Sequence, residues 1–256
     1  LKEYAEIIQT YGDGVLKKTR VTATSAVRDA ANKNEFLSLV KEIVGFEIQI
    51  LSGEEEAKYT YLGAISQTKV ESNSILVVDI GGGTSDCSML LMGPELSNND
   101  DRTQHLLAHS GVRIAGNDFD IQLALQGIMP SLGMNSLLKT GKPMPTASFF
   151  QALAINNINE QTEFYSAKNR RELMQLSRNA KETAIIERLI TVHDHKLSYQ
   201  LVNAAEQAKI ALSELDSQEV RLDYIDDGLQ ATLDKNILAQ ANQRTLASIG
   251  ELMQAT

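Results

Sequence analysis

Hydrophobic positions change their period several times along the chain. Leu1, Tyr4, Ala5, Ile7, Ile8 and Tyr11 recur near helical spacing, and Gly12 and Gly14 end that helix. Arg20 to Val27 reads as a strand of small residues. Asn34 to Val44 predicts an amphipathic helix through Phe36, Leu37, Leu39, Val40 and Ile43, stopped by Gly45. Phe46 to Leu51 alternates as a strand does. Ser52 and Glu55 have capping-box spacing and open a helix that runs to about Ile65. Lys69 to Ser74 is polar and reads as a loop. Ile75 to Ile80 predicts a strand buried on both faces, Gly81 to Gly83 a turn, Asp86 to Met92 the return strand, and His105 to Ile114 a third strand. From Asn117 the pattern is mostly helical. Met129 to Phe149 holds Pro130, Pro143 and Pro145 and reads as a loop or an insertion. Lys196 to Leu215 is the clearest helix, with Leu197, Leu201, Ala205, Ala208, Leu212 and Leu215 on one face.

Composition narrows the classes. A chain of 256 residues, 43% hydrophobic, is long enough for one or two globular domains. A net charge of -9 argues against broad nucleic-acid binding but leaves room for an anion held by backbone N–H groups. Cys87 is the single cysteine, so no intrachain disulfide forms, which fits a reducing compartment such as the cytoplasm. The most apolar run is too short to cross a membrane. The first residues lack a signal-peptide layout and begin as if within a helix, so a truncated N-terminus is expected.

Asp79-Ile80-Gly81-Gly82-Gly83-Thr84-Ser85-Asp86 carries the strongest chemical signal. Consecutive glycines between strands let the backbone reach a ligand, their N–H groups can converge on phosphate oxygens, and Thr84 adds a hydroxyl. Asp79 is placed to hold a Mg²⁺-bound water or to orient an attacking water. The competing reading is a glycine-rich hairpin turn with a solvated Asp. Neither the Walker pattern nor GxGxxG occurs. Glu54, Glu55 and Glu56 open a helix; they complement its dipole, or Glu56 faces a cleft as a general base. Thr24, Ser25 and Arg28 form a strand end that either contacts an anion or is merely solvated. Glu206, Lys209 and Ser213 either grip a nucleoside or make an exposed helix face with an i,i+3 ion pair. His193 and His195 lack further metal ligands, and Cys87 reads as a buried strand residue.

Two resemblances cover different stretches. Val21-Thr22-Ala23-Thr24-Ser25-Ala26-Val27-Arg28-Asp29-Ala30, Ile50-Leu51-Ser52-Gly53-Glu54-Glu55-Glu56-Ala57 and Val77-Val78-Asp79-Ile80-Gly81-Gly82-Gly83 resemble the exopolyphosphatase and guanosine-pentaphosphate phosphohydrolase (Ppx/GppA) family over residues 1–83. That resemblance implies Glu56 as catalytic base and Arg28 as phosphate ligand. Residues 75–256 resemble YegD-type relatives of the heat-shock chaperone ATPases, through the same glycine segment, Leu91-Met92-Gly93-Pro94, Gly116-Asn117-Asp118-Phe119-Asp120-Ile121 and Ala205-Glu206-Gln207-Ala208-Lys209-Ile210-Ala211-Leu212-Ser213. It implies that Glu206, Lys209 and Ser213 hold a nucleoside, although Ile210 stands where those ATPases carry an adenine-stacking Arg.

Both families share the actin-like ATPase (ribonuclease H-like) α/β fold, here expected incomplete and with a helical C-terminal part. The expected division is residues 1–74, a partial first lobe, and 75–256, a second lobe with the phosphate loop at 79–86. No Asp-x-Gly loop precedes Val21, and no glycine pair follows Gly83. Three functions follow as expectations. The first is an ATP-binding chaperone-ATPase-like protein using Mg²⁺. The second is a polyphosphate or guanosine-pentaphosphate hydrolase. The third is a non-catalytic fragment or fusion, with a second subunit or protein partner covering the missing strands.

Overall fold

The computed structural model describes residues 21–28, 30–45, 47–65, 74–91 and 105–256. The expected helix at residues 1–11, the loop from Lys69 to Asn73, Phe46 and the Met92-Gly93-Pro94 stretch lie outside these residues. The protein is mixed α/β with a helical C-terminal part. Two compact units divide the chain. One contains the described residues up to Ile80, Thr84–Arg113 and Glu251–Thr256; the other contains Gly81–Gly83 and Ile114–Gly250. The helix before Ser74 and the strands just after it lie in the same unit.

The first unit begins as a β–α–β element. Strand β1 (Val21–Ala23) runs into the short helix α1 (Ser25–Arg28), then α2 (Lys33–Val44), then β2 (Ile48–Ile50) parallel to β1. Of the strand expected over Arg20–Val27, the described residues keep only Val21–Ala23. Its second half turns helical, with Val27 and Arg28 N–H groups both donating to the Thr24 carbonyl. Gly45 ends α2 in the left-handed region at φ 79° and donates to the Lys41 carbonyl. Helix α3 (Gly53–Ile65) opens with the predicted capping box: the Ser52 N–H donates to Glu55 Oε2 at 2.9 Å and the Glu55 N–H to Ser52 Oγ at 3.1 Å.

An antiparallel sheet follows, β3 (Ser74–Ile80), β4 (Ser85–Leu91) and β5 (Leu106–Val112), in that spatial order. Helix α3 lies on one face, where Leu62 meets Val77, Leu90, Ile75 and Leu106. The expectation that β3 is buried on both faces fails. The strand has β4 alone as a neighbour among the described residues, and Ile80 is 51% exposed. Cys87 is fully buried, as expected.

The second unit is built from α4 (Gly116–Gly127), a 3₁₀ turn at Met129–Leu132, α5 (Ala147–Leu153), α6 (Ile158–Phe164), α7 (Ala167–Asn179), α8 (Thr183–His195), α9 (Ser198–Ala211), strands β6 (Ser217–Arg221) and β7 (Gln230–Asp234), and most of α10 (Lys235–Ala255). Its core is continuous, with Leu123, Phe149, Phe164, Leu189, Leu201 and Leu233 completely buried. The Met129–Phe149 stretch is more ordered than a loop, since Leu138 bridges to Ala180 and α5 begins within it. The long helix expected from Lys196 starts at Ser198, because Lys196 takes a left-handed φ of 56° and caps α8. It keeps the predicted buried stripe from Leu197 to Leu212 but leaves Leu215 outside, half exposed. The hairpin β6–β7 is not foreseen by the pattern of this region, which reads as mostly helical.

Gly133 is a conformational requirement of this core. Its φ is +104°, and an added Cβ would run into the fully buried Ile186 side chain. Gly133→Ala is expected to destabilise the protein by about 1–3 kcal/mol, read as a lower urea midpoint with an unchanged slope.

Candidate functional site

A small recess in the first unit gathers most of the reactive side chains. It is lined by Glu56 and Thr60 of α3, Val77 and Asp79 of β3, and Asp86 and Ser88 of β4. Pleating explains the set. Val77 pairs with Ser88 and Asp79 with Asp86 across the antiparallel ladder, so these four side chains share the face that α3 covers. Glu56 and Thr60 stand one helical turn apart and point at that face. Gly111 of β5 lies opposite Asp86, and a Cβ there would sit 2.5 Å from Asp86 Oδ1. Glycine at this place gives the carboxylate its room.

The β–α–β element supplies the cation. Arg28 Nη1 donates to the Leu51 carbonyl at 2.8 Å and lies 3.7 Å from Glu56 Oε2. The Leu51 N–H donates back to the Ala23 carbonyl. The carboxyl ends of the parallel strands β1 and β2 thus deliver Arg28 and Glu56 to one place, where ligands gather in open α/β sheets. The Thr24 hydroxyl also bonds Glu56. Thr60 Oγ1 donates to Asp79 Oδ2 at 2.9 Å and fixes that carboxylate. Burial, the Asp86 charge and the Asp79 charge push the Glu56 carboxyl up, against the opposing pull of Arg28 and Thr24.

The recess holds Glu56 and Asp79 from the sequence reading, with Arg28 and Thr24 beside Glu56. Arg28 ends helix α1 rather than a strand, and the side chain of Ser25 lies outside the described part. Sequence reasoning missed Asp86, Thr60 and Ser88 as recess residues. The signal for Asp86 was available, because a hairpin closed through the glycines places Asp79 opposite Asp86.

Gly81 to Gly83 belong to the second unit, where the Gly116 N–H donates to the Gly81 carbonyl and the Asn117 N–H to the Gly82 carbonyl. Among the described residues nothing lies within 4 Å of a Cβ added at Gly83, and at Gly82 only the Asn117 amide comes near, at 3.9 Å; neither glycine takes a left-handed φ. No described neighbour requires glycine at these two positions. Thr84 follows as a half-buried residue before β4. Lys209 Nζ lies 2.7 Å from Asp120 Oδ1. The i,i+3 ion pair considered for Glu206 and Lys209 is therefore replaced by a longer-range one, formed because α9 packs on α4. Burial raises the Asp120 carboxyl, and Glu206 adds to that while Lys209 opposes it. Ser213 lies in a turn beyond the end of α9. His193 is buried against Phe164 and Tyr165 and bonds Asp194. Among the described residues no group of three His, Cys, Asp or Glu side chains has the arrangement of a metal site. No helix of the described residues is long and apolar enough to cross a membrane.

Residues 1–92 match the Ppx/GppA phosphatase family. Among solved structures, an exopolyphosphatase-like protein is 24% identical, over 63% of this chain and 43% of its own, with a TM-score of 0.35. The Aquifex aeolicus PPX-GPPA enzyme is 22% identical, over 68% of this chain and 44% of its own, with a TM-score of 0.33. Likeness at this level does not carry a fold or an activity across. The chain spans less than half the length of either protein.

The raised Glu56 carboxyl has a stability consequence. A carboxyl with a higher pKa in the folded state holds its proton to higher pH than in the unfolded chain. Ionising it as pH rises therefore costs stability. Glu56 is 18% exposed, so solvent screens this only in part. Glu56→Gln is expected to melt higher than the parent protein at pH 7, with the gain disappearing below the ordinary glutamate range. Thermal denaturation at both pH values checks it, and an equal gain at both would locate the effect elsewhere.

Proposed function

We propose that the chain, matched over residues 1–92 to the Ppx/GppA phosphatases, carries the catalytic recess of a phosphoanhydride hydrolase acting on polyphosphate or guanosine pentaphosphate. The observation that supports it most is the setting of Glu56: a carboxylate pushed up by burial and two neighbouring aspartates, yet within 3.7 Å of a guanidinium.

In this reading Glu56 takes a proton from a water as its oxygen bonds the terminal phosphorus. The phosphoanhydride P–O bond breaks, and the shortened chain leaves with the electron pair. Arg28 sits beside the base, where its charge offsets that gathering on the phosphoryl oxygens. Asp79, held by Thr60, orients the water or a hydrated cation. Asp79 and Asp86 are oxygen donors of the type Mg²⁺ prefers, and their facing charges suit a divalent cation. Among the described residues no group of three such side chains has the arrangement of a metal site, so substrate phosphate and water would complete the shell. Bound there, Mg²⁺ would neutralise phosphate charge. On separate grounds Gly81 to Thr84 are assigned phosphate contacts, since no neighbour among the described residues requires glycine at Gly82 or Gly83.

The ATP-binding chaperone-like reading comes second. It uses Lys209, whose ammonium is engaged by the buried Asp120, so reaching a nucleoside would cost that pair.

Phosphate release from long-chain polyphosphate and from guanosine pentaphosphate, with Mg²⁺, tests the proposal. Glu56→Gln is expected to lower kcat by about 100-fold or more, while Lys209→Ala leaves release unchanged. An acid limb in the rate profile above the ordinary glutamate range is expected as well, and absent from the variant. ATP binding that is lost on Lys209→Ala, with no phosphate released from either polymer, would instead favour the nucleotide reading. A folded chain inert towards every one of these ligands would leave the fragment reading.

A further inference from the structure

The second unit contains a recess that the proposed hydrolysis does not use. It has a volume of about 320 Å³, at the lower end of small-molecule sites. Helix α5 makes its floor. Phe149, Ala152 and Leu153 of α5 point into the core, while Ala147, Phe150 and Ala154, spaced at i, i+3 and i+7, line the opening together with Ile121 of α4. Phe150 is 47% exposed, so its ring forms an open apolar wall.

The rim has one sign of charge. Asp118 of α4 and Glu160 of α6 line it, and no Lys, Arg or His does. Asp118 accepts from the Ala115 N–H at 2.9 Å and from Asn156 Nδ2 at 3.4 Å, both neutral donors. Neither carboxylate forms an ion pair among the described residues. Each stands in the first turn of a helix, whose dipole offsets about half a charge. The remaining negative potential faces the apolar opening. Helix termini account for the two carboxylates, but not for an exposed phenylalanine and an apolar hollow beside them.

We propose that this recess binds a small organic cation: an ammonium group at the carboxylate rim, carried on an apolar body that fills the hollow against Phe150. An ammonium there gains charge-assisted hydrogen bonds from Glu160 and Asp118 and attraction to the Phe150 ring face, while its body removes apolar surface from water. An anion would meet two carboxylates, and a neutral ligand would leave their charge without a counter-ion. The site is independent of the phosphate chemistry of the first unit.

Titration of the purified chain with benzylammonium, benzyl alcohol and benzoate, followed by amide NMR, tests the assignment. Benzylammonium is expected to shift the amides around Phe150, Ala154 and Glu160, and the other two probes to shift them far less. Glu160→Gln should weaken benzylammonium about tenfold, as expected for losing one charge-assisted contact. Phe150→Leu, which keeps the apolar volume of an exposed position but removes the ring, should weaken it further. Equal binding of benzyl alcohol, unchanged affinity in both variants, or no shift at millimolar benzylammonium would each overturn the proposal. So would a lysine-containing peptide that binds this face when benzylammonium does not, since that would assign the recess to a protein partner.

Discussion

Two aspartates that face each other across a β-ladder set the terms for the first unit. Pairing of β3 with β4 places Asp79 directly opposite Asp86 on one face of the sheet. Like charges in that position ordinarily weaken a sheet. The structure accommodates them in particular ways. Gly111 leaves space for Asp86, Thr60 donates to Asp79, and α3 covers the face. None of these removes the charge. Glu56 then arrives from α3 as a third carboxyl, and burial first, then the Asp86 and Asp79 charges, raise its affinity for a proton.

Every element around this pair helps to bring groups to it. The capping box fixes where α3 begins, and therefore which of three consecutive glutamates faces the sheet. Glu55 is used by the cap, bonding the Ser52 N–H, while Glu56 is one residue further round the helix and points inward. The parallel pair β1–β2 places Arg28 at the Leu51 carbonyl, immediately before that cap. Glu56 and Arg28, far apart in sequence, are thus positioned by the same strand end. The first unit has few fully buried apolar side chains among its described residues, whereas the second has a continuous helical core.

Local signals in the sequence were legible where the backbone decides the outcome. The Ser52–Glu55 cap, the Gly45 stop, the hairpin through the glycines and the buried stripe of α9 all follow from neighbours in the chain. The readings that failed depend on distant partners. The Arg20–Val27 segment has strand-like composition throughout, yet only Val21–Ala23 finds a partner in β2, and the remainder closes a helical turn. Strands β6 and β7 carry mostly polar residues, and their alternation at Val220, Ala231 and Leu233 is too sparse to stand out beside long helices. Glu56 was visible as a candidate but not separable from a dipole-complementing glutamate, because the distinction lies in what the sheet places opposite it. Lys209 was visible as a polar helix residue, but its partner Asp120 is set by the packing of α9 on α4.

Electrostatics also constrain what the recess can accept. The chain carries a net charge of -9, and among the described residues Arg28 is the cation that acts on Glu56. A bare polyphosphate, itself densely anionic, would be repelled by Asp79, Asp86 and an ionised Glu56 together. A single guanidinium, a third exposed, is too little to reverse that. In the proposed reading the productive ligand is therefore a phosphate already paired with a divalent cation. There Asp79 and Asp86 would meet the cation and Arg28 the phosphoryl oxygens, while Glu56, whose carboxyl is pushed up by burial and the neighbouring aspartates, would take the proton from the water.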